Sequence, residues 1–315
     1  MNIYEQIKIA AEYIKKGKVV AFPTETVYGL GANALNPNAV ARIFELKERP
    51  SFDPLIVHIA DISQIDKIAI INDERIYDIA NKFWPGPLTI ILPKRSIIPD
   101  IVTSGLPTVG IRIPNNPIAL ELIRNSECPI AAPSANKFGK ISPTKASHVK
   151  KYIPDVDFII DGGKTTVGIE STIIKLNDDG FEILRHGVIT EDDLSKVLPK
   201  SSIKTENKIL ASGMMKSHYS PDKKFYLLDE NILSQIDKSK AGLISFTGKY
   251  NEGFKKVIQC SHSNELLEYA INIFDAMHQM EESDVEFILA EPVEEKGIGK
   301  AIMDRLKKAA YKHKK

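Results

Sequence analysis

With 315 residues, 43% hydrophobic and 26% charged, the chain has the make-up of a soluble globular protein and exceeds one core's usual size, so two domains are expected. A net charge of +1 excludes a nucleic-acid role argued from the total, leaving only local basic patches to support one. Cys128 and Cys260 lie in different halves without C-x-x-C spacing, the N-terminus is charged, and no apolar run reaches about 18 residues; this excludes a disulfide framework, a thiolate zinc site, a signal peptide and a membrane span, and points to the cytoplasm.

Ile3, Ile7, Ala10, Ala11 and Ile14 recur at helical spacing, with Gly17 as the stop. The rest of the chain is organised around residues 19–34. Residues 19–22 read as a strand, Pro23 removes a ladder donor, and Thr24, Glu25 and Thr26 follow, with Gly29 and Gly31 allowing close backbone approach. Hydroxyls and glycines at a strand end suit the ligand crevice of an open α/β sheet. A strand-to-helix turn with capping threonines is the simpler alternative. Asn36-Pro37 has N-cap and N1 character and opens a helix that ends before Pro50. Residues 55–60 read as a buried strand interrupted by His58, and Asn72 opens a helix with Ile76, Ile79, Ala80 and Phe83 on one face.

Strands are expected at 88–92, 108–113, 129–132 and 156–160, with a short helix at 118–124. Ser142-Pro143-Thr144 resembles a helix start, 173–176 pairs with 181–185 as a hairpin, and Thr190 to Asp193 has capping-box character. Periodicity is lost from 199 to 221, the best linker in the chain. Strands at 225–228, 242–246 and 286–290 and helices at 265–279 and 300–311 then predict a small parallel α/β unit.

Four cations fall at or near element ends. Lys47 and Arg49 close a helix, where a capping role is also open. Arg112 interrupts an apolar strand and costs desolvation unless it faces solvent or meets an anion, and Arg185 repeats the pattern. Ser134, Asn136, Ser142, Thr144 and Ser171 add hydroxyls and amides, each of which could instead be a local cap. Together they outline an anion site suited to phosphate and carboxylate. Rival chemistries lack their signatures: there is no G-x-S-x-G, no Walker A, and no metal spacing among His58, His148 and His186.

In order, Phe-Pro-Thr-Glu-Thr-Val-Tyr-Gly-Leu-Gly, Lys-Glu-Arg-Pro, Asp-Pro-Leu-Ile-Val-His, Trp-Pro-Gly-Pro-Leu-Thr, Val-Gly-Ile-Arg-Ile-Pro, Ala-Pro-Ser-Ala-Asn, Ile-Ser-Pro-Thr and Glu-Ser-Thr-Ile-Ile span most of residues 19–187. His-Tyr-Ser-Pro and Gly-Ile-Gly-Lys-Ala-Ile-Met-Asp-Arg-Leu-Lys-Lys-Ala-Ala follow beyond the linker. This series resembles the threonylcarbamoyl-AMP synthases, in the two-domain form with a YrdC-like catalytic domain. The resemblance implies a twisted open α/β sheet flanked by helices with a cationic concave site at 1–198, a linker or lid at 199–222, and a small Rossmann-like parallel α/β accessory domain at 223–315.

It also implies a reaction in which L-threonine, bicarbonate and ATP give threonylcarbamoyl-AMP and pyrophosphate, for N6-threonylcarbamoyladenosine in tRNA. Thr26, His58, Arg112, Ala132 and Ser171 would bind threonine. Lys47 and Arg49 would be catalytic and, with Asp53, Thr108, Ser134, Asn136, Ser142, Arg185 and Tyr219, would bind ATP. Mg²⁺ would be held mainly by the phosphates. The product would pass to a tRNA threonylcarbamoyl transferase, with direct tRNA binding left open. Asp53 stands where the family commonly has asparagine, and His186 stands in place of a frequent proline. Residues 212–219 lack the family's usual arginine before His-Tyr. The alternative is a tRNA- or double-stranded-RNA-binding module that uses a cationic concavity without chemistry.

Overall fold

The computed structural model describes residues 1–204, 213 and 218–311. Among them, nine strands form the larger sheet: β1 (Val20–Pro23), β2 (Tyr28–Asn33), β3 (Ile56–His58), β4 (Leu88–Pro93), β5 (Thr108–Arg112), β6 (Ile130–Ala131), β7 (Phe158–Ile159), β8 (Thr172–Asn177) and β9 (Gly180–Arg185). Their order is β7-β1-β2-β6-β3-β5-β4-β8-β9, with parallel and antiparallel neighbours mixed.

The sheet is covered on both faces, which explains why β1 is apolar without a break. Val20 and Phe22 join a core with Ile7, Ala10, Ala11 and Ile14 of helix Ile3–Lys15 and Leu122 and Ile123 of helix Pro117–Ser126. Ala21 faces the opposite core, built with Val40 and Ile43 of helix Pro37–Lys47 and Ile76 and Ile79 of helix Arg75–Phe83. The cap expected at Asn36 is present, and Asn116 caps helix Pro117–Ser126 in the same way, each side chain accepting two backbone N–H bonds ahead of a proline.

Residues 19–34 are not the strand-to-helix turn left open as the simpler alternative. They form an antiparallel hairpin, with Phe22 opposite Gly29. The glycines hid this strand because they interrupt its alternation. Gly31 is there for space: a Cβ would lie 2.6 Å from the Phe22 ring. Ser142 and Thr144 also differ from expectation. The helix begins at Ala146 with Lys145 as an N-cap that makes no side-chain bond, so neither hydroxyl caps it.

A second sheet, wholly parallel, has the order β10-β13-β11-β12. Its strands are β10 (Lys224–Leu227), β11 (Ala241–Ser245), β12 (Lys256–Gln259) and β13 (Phe287–Ala290), covered by helices Leu266–Glu281 and Ile298–Ala310. β12 and helix Glu230–Gln235 were not legible in the sequence. The two sheets share one core: Val27, Ile141, Ile169 and Tyr219 pack with Phe225, Tyr269, Phe274 and Ile302. Truncating a buried aromatic such as Phe274 to alanine would cost about 3–5 kcal/mol. Gly168 makes the closest approach, at φ +79° with its absent Cβ only 2.3 Å from the Ile271 carbonyl oxygen. Any side chain there would push helix Leu266–Glu281 away. No helix among the described residues is long and apolar enough to cross a membrane.

Candidate active site

Strand ends and loops of the larger sheet meet in one hollow. The β1–β2 turn supplies Thr24 and Thr26. Parallel pairing of β3 with β5 sets His58 opposite Arg112. The loop after β6 brings Ala132, Pro133 and Ser134, the approach to β8 brings Glu170 and Ser171, and the end of β9 brings Arg185. His218 and Tyr219 complete the wall, and about 40 Å³ is left open. That volume admits a few waters.

Arg112 is the pivot of one side. Its Nε donates to the Gly86 carbonyl at 3.2 Å and its guanidinium to Thr26 Oγ1 at 3.0 Å. Glu25 Oε1 stands 2.6 Å from a terminal nitrogen, with both side chains 4% exposed. The charges touch, yet neither group reaches hydrogen-bond alignment with the other, so donors and acceptors there remain unspent. Thr24 Oγ1 donates to the Val27 carbonyl, which leaves the Thr26 hydroxyl to donate to Thr24 and accept from Arg112. His58 is neutral: burial, and then Arg112, push its imidazole down to about 3.

Cations crowd the other side. Lys47, fully buried at the end of helix Pro37–Lys47, donates to the carbonyls of Ser134 at 2.6 Å and Asn136. Burial and then the Arg49 charge hold its amine well below the ordinary lysine range. Arg49 meets Asp53 at 3.0 Å and also donates to the carbonyls of Asp53 and Pro54. Burial still lowers Arg49 and raises Asp53, so desolvation outweighs the pairing for both partners. The carboxylate that stands in for asparagine is thus turned onto Arg49.

Arg185 lies along Ser171, donating to its carbonyl at 3.0 and 2.9 Å and to its hydroxyl at 3.0 Å. Ser171 Oγ also lies 2.8 Å from Thr89 Oγ1. Ser142 Oγ is bonded to Glu170 Oε1, and Glu170 Oε2 lies 3.1 Å from Arg305 Nε on helix Ile298–Ala310. Burial alone would raise Glu170, but Arg305 and then Arg185 outweigh it and keep the carboxyl below its usual range. Tyr219 is fully buried at φ +61°, its ring 5.3 Å from that of Phe274 and 5.6 Å from the Arg305 guanidinium carbon.

Of the residues singled out in the sequence, Thr26, His58, Arg112, Ala132, Ser134, Ser171, Arg185 and Tyr219 line the hollow. Lys47, Arg49, Asp53, Asn136 and Ser142 stand behind the lining. The Asn136 amide is committed to the carbonyls of Lys137 and Lys140. Thr108 lies outside the lining, at the start of β5 opposite Pro93 and roughly 13 Å along the strand from Arg112. Thr24, Glu25, Glu170 and His218 were not singled out, although each adjoins a residue that was. In the linker, Gly213 offers its carbonyl to Lys308 at 2.6 Å. The altered stretch at 212 and 214–217 lies outside the described residues.

The family described as Telomere recombination matches residues 12–187, and the one described as Threonylcarbamoyl-AMP synthase, C-terminal domain, matches residues 189–311. The chain is 44% identical to the threonylcarbamoyl-AMP synthase of Pyrococcus abyssi, over 97% of this chain and 94% of that one. It is 41% identical to the protein of that name from Bacillus subtilis, over 97% and 93%. The crystal structure of P. abyssi Sua5 complexed with L-threonine superposes with a TM-score of 0.90 at 42% identity, covering 99% of this chain and 95% of that one.

Proposed function

The chain belongs to the threonylcarbamoyl-AMP synthase family, a family of nucleotidyltransferase-type enzymes, and from that premise we propose that its hollow joins L-threonine, bicarbonate and ATP into threonylcarbamoyl-AMP and pyrophosphate, feeding N6-threonylcarbamoyladenosine formation in tRNA. The observation that carries this reading is convergence: Thr26, His58, Arg112, Ser134, Ser171, Arg185 and Tyr219 come from separate segments to one wall.

In this reading Arg112 takes the threonine carboxylate from the wall of the hollow, with Thr26, neutral His58, the Ala132 backbone and Ser171 around it. Threonine and bicarbonate combine to an N-carboxylate, losing water. One of its oxygens then bonds to the α-phosphorus as the bond to the pyrophosphate oxygen breaks. Lys47 and Arg49 neutralise charge building on the phosphates, and fixed cations and amides so aimed are the largest catalytic contribution. Holding two small reactants in line supplies much of the rest. Ser134, Arg185 and Tyr219 line the nucleotide's path with Asn136 and Ser142 behind them, and Thr108 is left for its far end.

Mg²⁺ would enter with the nucleotide, held mainly by its phosphates. The open 40 Å³ is far below the roughly 300 Å³ and more of an occupied ligand site, so the wall must part to admit both substrates. We divide the chain into a catalytic unit at 1–198, a linker at 199–222 and an accessory unit at 223–315, acting in the cytoplasm, where its two free cysteines would stay reduced. Incubation with ATP, threonine and bicarbonate should release pyrophosphate only when all three are present. Threonine-independent release would count against the reading. Salt-sensitive RNA binding without ATP affinity would favour a binding module instead.

A further inference from the structure

Three buried arginines at or behind this wall are set against carboxylates: Arg112 with Glu25, Arg49 with Asp53, and Arg305 with Glu170 and Asp304. The Glu25 pair stands apart because Glu25 takes no part in the lining, while its partner Arg112 does. Gly86 and Thr26 hold the guanidinium through Nε and one terminal nitrogen, and the Glu25 carboxylate lies against the other terminal nitrogen. The guanidinium is therefore fixed in place, and its charge is matched before any ligand arrives. Across the hollow the arrangement differs: Asp53 is paired with Arg49, while the Lys47 amine meets the carbonyls of Ser134 and Asn136.

We propose that Glu25 is a positioning and specificity-determining residue that sorts the two substrates between the two sides of the hollow. By cancelling the charge of Arg112 it leaves a seat neutral in sum. The Arg112 nitrogen bonded to Thr26 has a second N–H for an α-carboxylate there, but a zwitterionic amino acid enters without the gain that would draw in a polyanion. Phosphates are left to the Lys47 and Arg49 side, where Lys47 donates to carbonyls and can take a phosphate as its charged partner. Without Glu25, Arg112 would be a bare buried cation next to a triphosphate site, and polyphosphate would compete for the amino-acid seat. The inference rests on the synthase reading, because it assumes that threonine binds at Arg112.

The test is calorimetric titration of L-threonine into the full-length protein, with and without saturating inorganic pyrophosphate. In the wild type and in E25D, which keeps the charge, pyrophosphate should change threonine affinity less than about twofold. In the charge-removing variants E25Q and E25A it should weaken threonine binding about tenfold or more, since close buried charge pairs couple at least that strongly. Independence in wild type and E25D with exclusion in either neutral variant supports the proposal. Exclusion in the wild type, or independence in every folded variant, overturns it. A wild type that does not bind threonine at all would instead remove the synthase reading on which the proposal stands.

Discussion

Arg305, near the end of the chain, places its Nε 3.1 Å from Oε2 of Glu170, a residue of the larger sheet's hollow. The guanidinium also donates to the His186 carbonyl and faces the Tyr219 ring. His186 thus takes part through its backbone, which any residue at that position could offer. Through Glu170 the contact continues to Ser142, so the second unit braces the wall of the site as well as touching the linker.

Removing one partner of such a pair strands the other charge. Arg305→Met is therefore expected to lose about 3–5 kcal/mol in denaturant titration, while Arg305→Met combined with Glu170→Met should recover much of that loss. Pyrophosphate release should stay low in both, because Ser142 and Tyr219 lose their support. A double variant no more stable than the single one would show that the pair contributes mainly through packing.

Arg112→Ala should raise the threonine requirement far more than the ATP requirement. A charged hydrogen bond to a carboxylate is worth about 1.5–3 kcal/mol, or roughly ten- to hundredfold in the threonine KM. Steady-state kinetics with each substrate varied in turn reads the difference. Equal loss for both substrates would mean that Arg112 serves the site as a whole.

Much of this was legible in the sequence. Arg112 stood out because a cation inside Val-Gly-Ile-Arg-Ile-Pro has a desolvation cost to offset, and Glu25, Gly86 and Thr26 offset it at the edge of the hollow. The cap at Asn36 and the β8–β9 hairpin were readable because local chemistry sets them. Strand β2 was hidden because its glycines answer to Phe22 and Ile130, contacts made only in the fold. Glu25 and Glu170 were passed over for a related reason: their partners Arg112 and Arg305 lie 87 and 135 residues away, and no local pattern links them.

Lys47 ties nucleotide binding to protons. Burial and the neighbouring Arg49 hold its amine well below the usual lysine value, and a phosphate beside it would raise that value again. The nucleotide-bound form then holds more protons than the free form between the two values, so ATP affinity falls as pH rises through the lower one. Titrations in two buffers of different ionisation enthalpy should show proton uptake on ATP binding. Lys47→Arg, which stays charged, should abolish that uptake even if affinity drops. Equal uptake in both proteins would assign the proton to another group.

The contact between the two units should weaken in mild acid. His148 of helix Ala146–Tyr152 stacks on His278 of helix Leu266–Glu281, ring centroids 3.7 Å apart. Nδ1 of His148 accepts from the Thr144 amide at 3.3 Å, leaving its Nε2–H towards Asp275 at 3.6 Å, and Nε2 of His278 donates to the Ser142 carbonyl at 3.1 Å. Both rings are therefore neutral in the fold, pushed down by burial to about 4 for His148 and about 3 for His278. Unfolded histidines titrate near 6.5, so the unfolded chain takes up protons first as pH falls. Stability is whole above about pH 6.5, declines as pH drops towards 4, and loses on the order of 2 kcal/mol per ring by pH 4.5. Asp275, with Lys145 and Lys164 against it, is held below the usual carboxylate range despite its burial; its contribution is lost only at more acid pH and does not blur this window. Melting curves at pH 7.5 and 4.5 should show a much larger drop for the wild type than for His148→Gln/His278→Gln, at roughly 2 °C or more per kcal/mol in a chain of this size. Parallel pH slopes in the two proteins would place the acid sensitivity outside this stack.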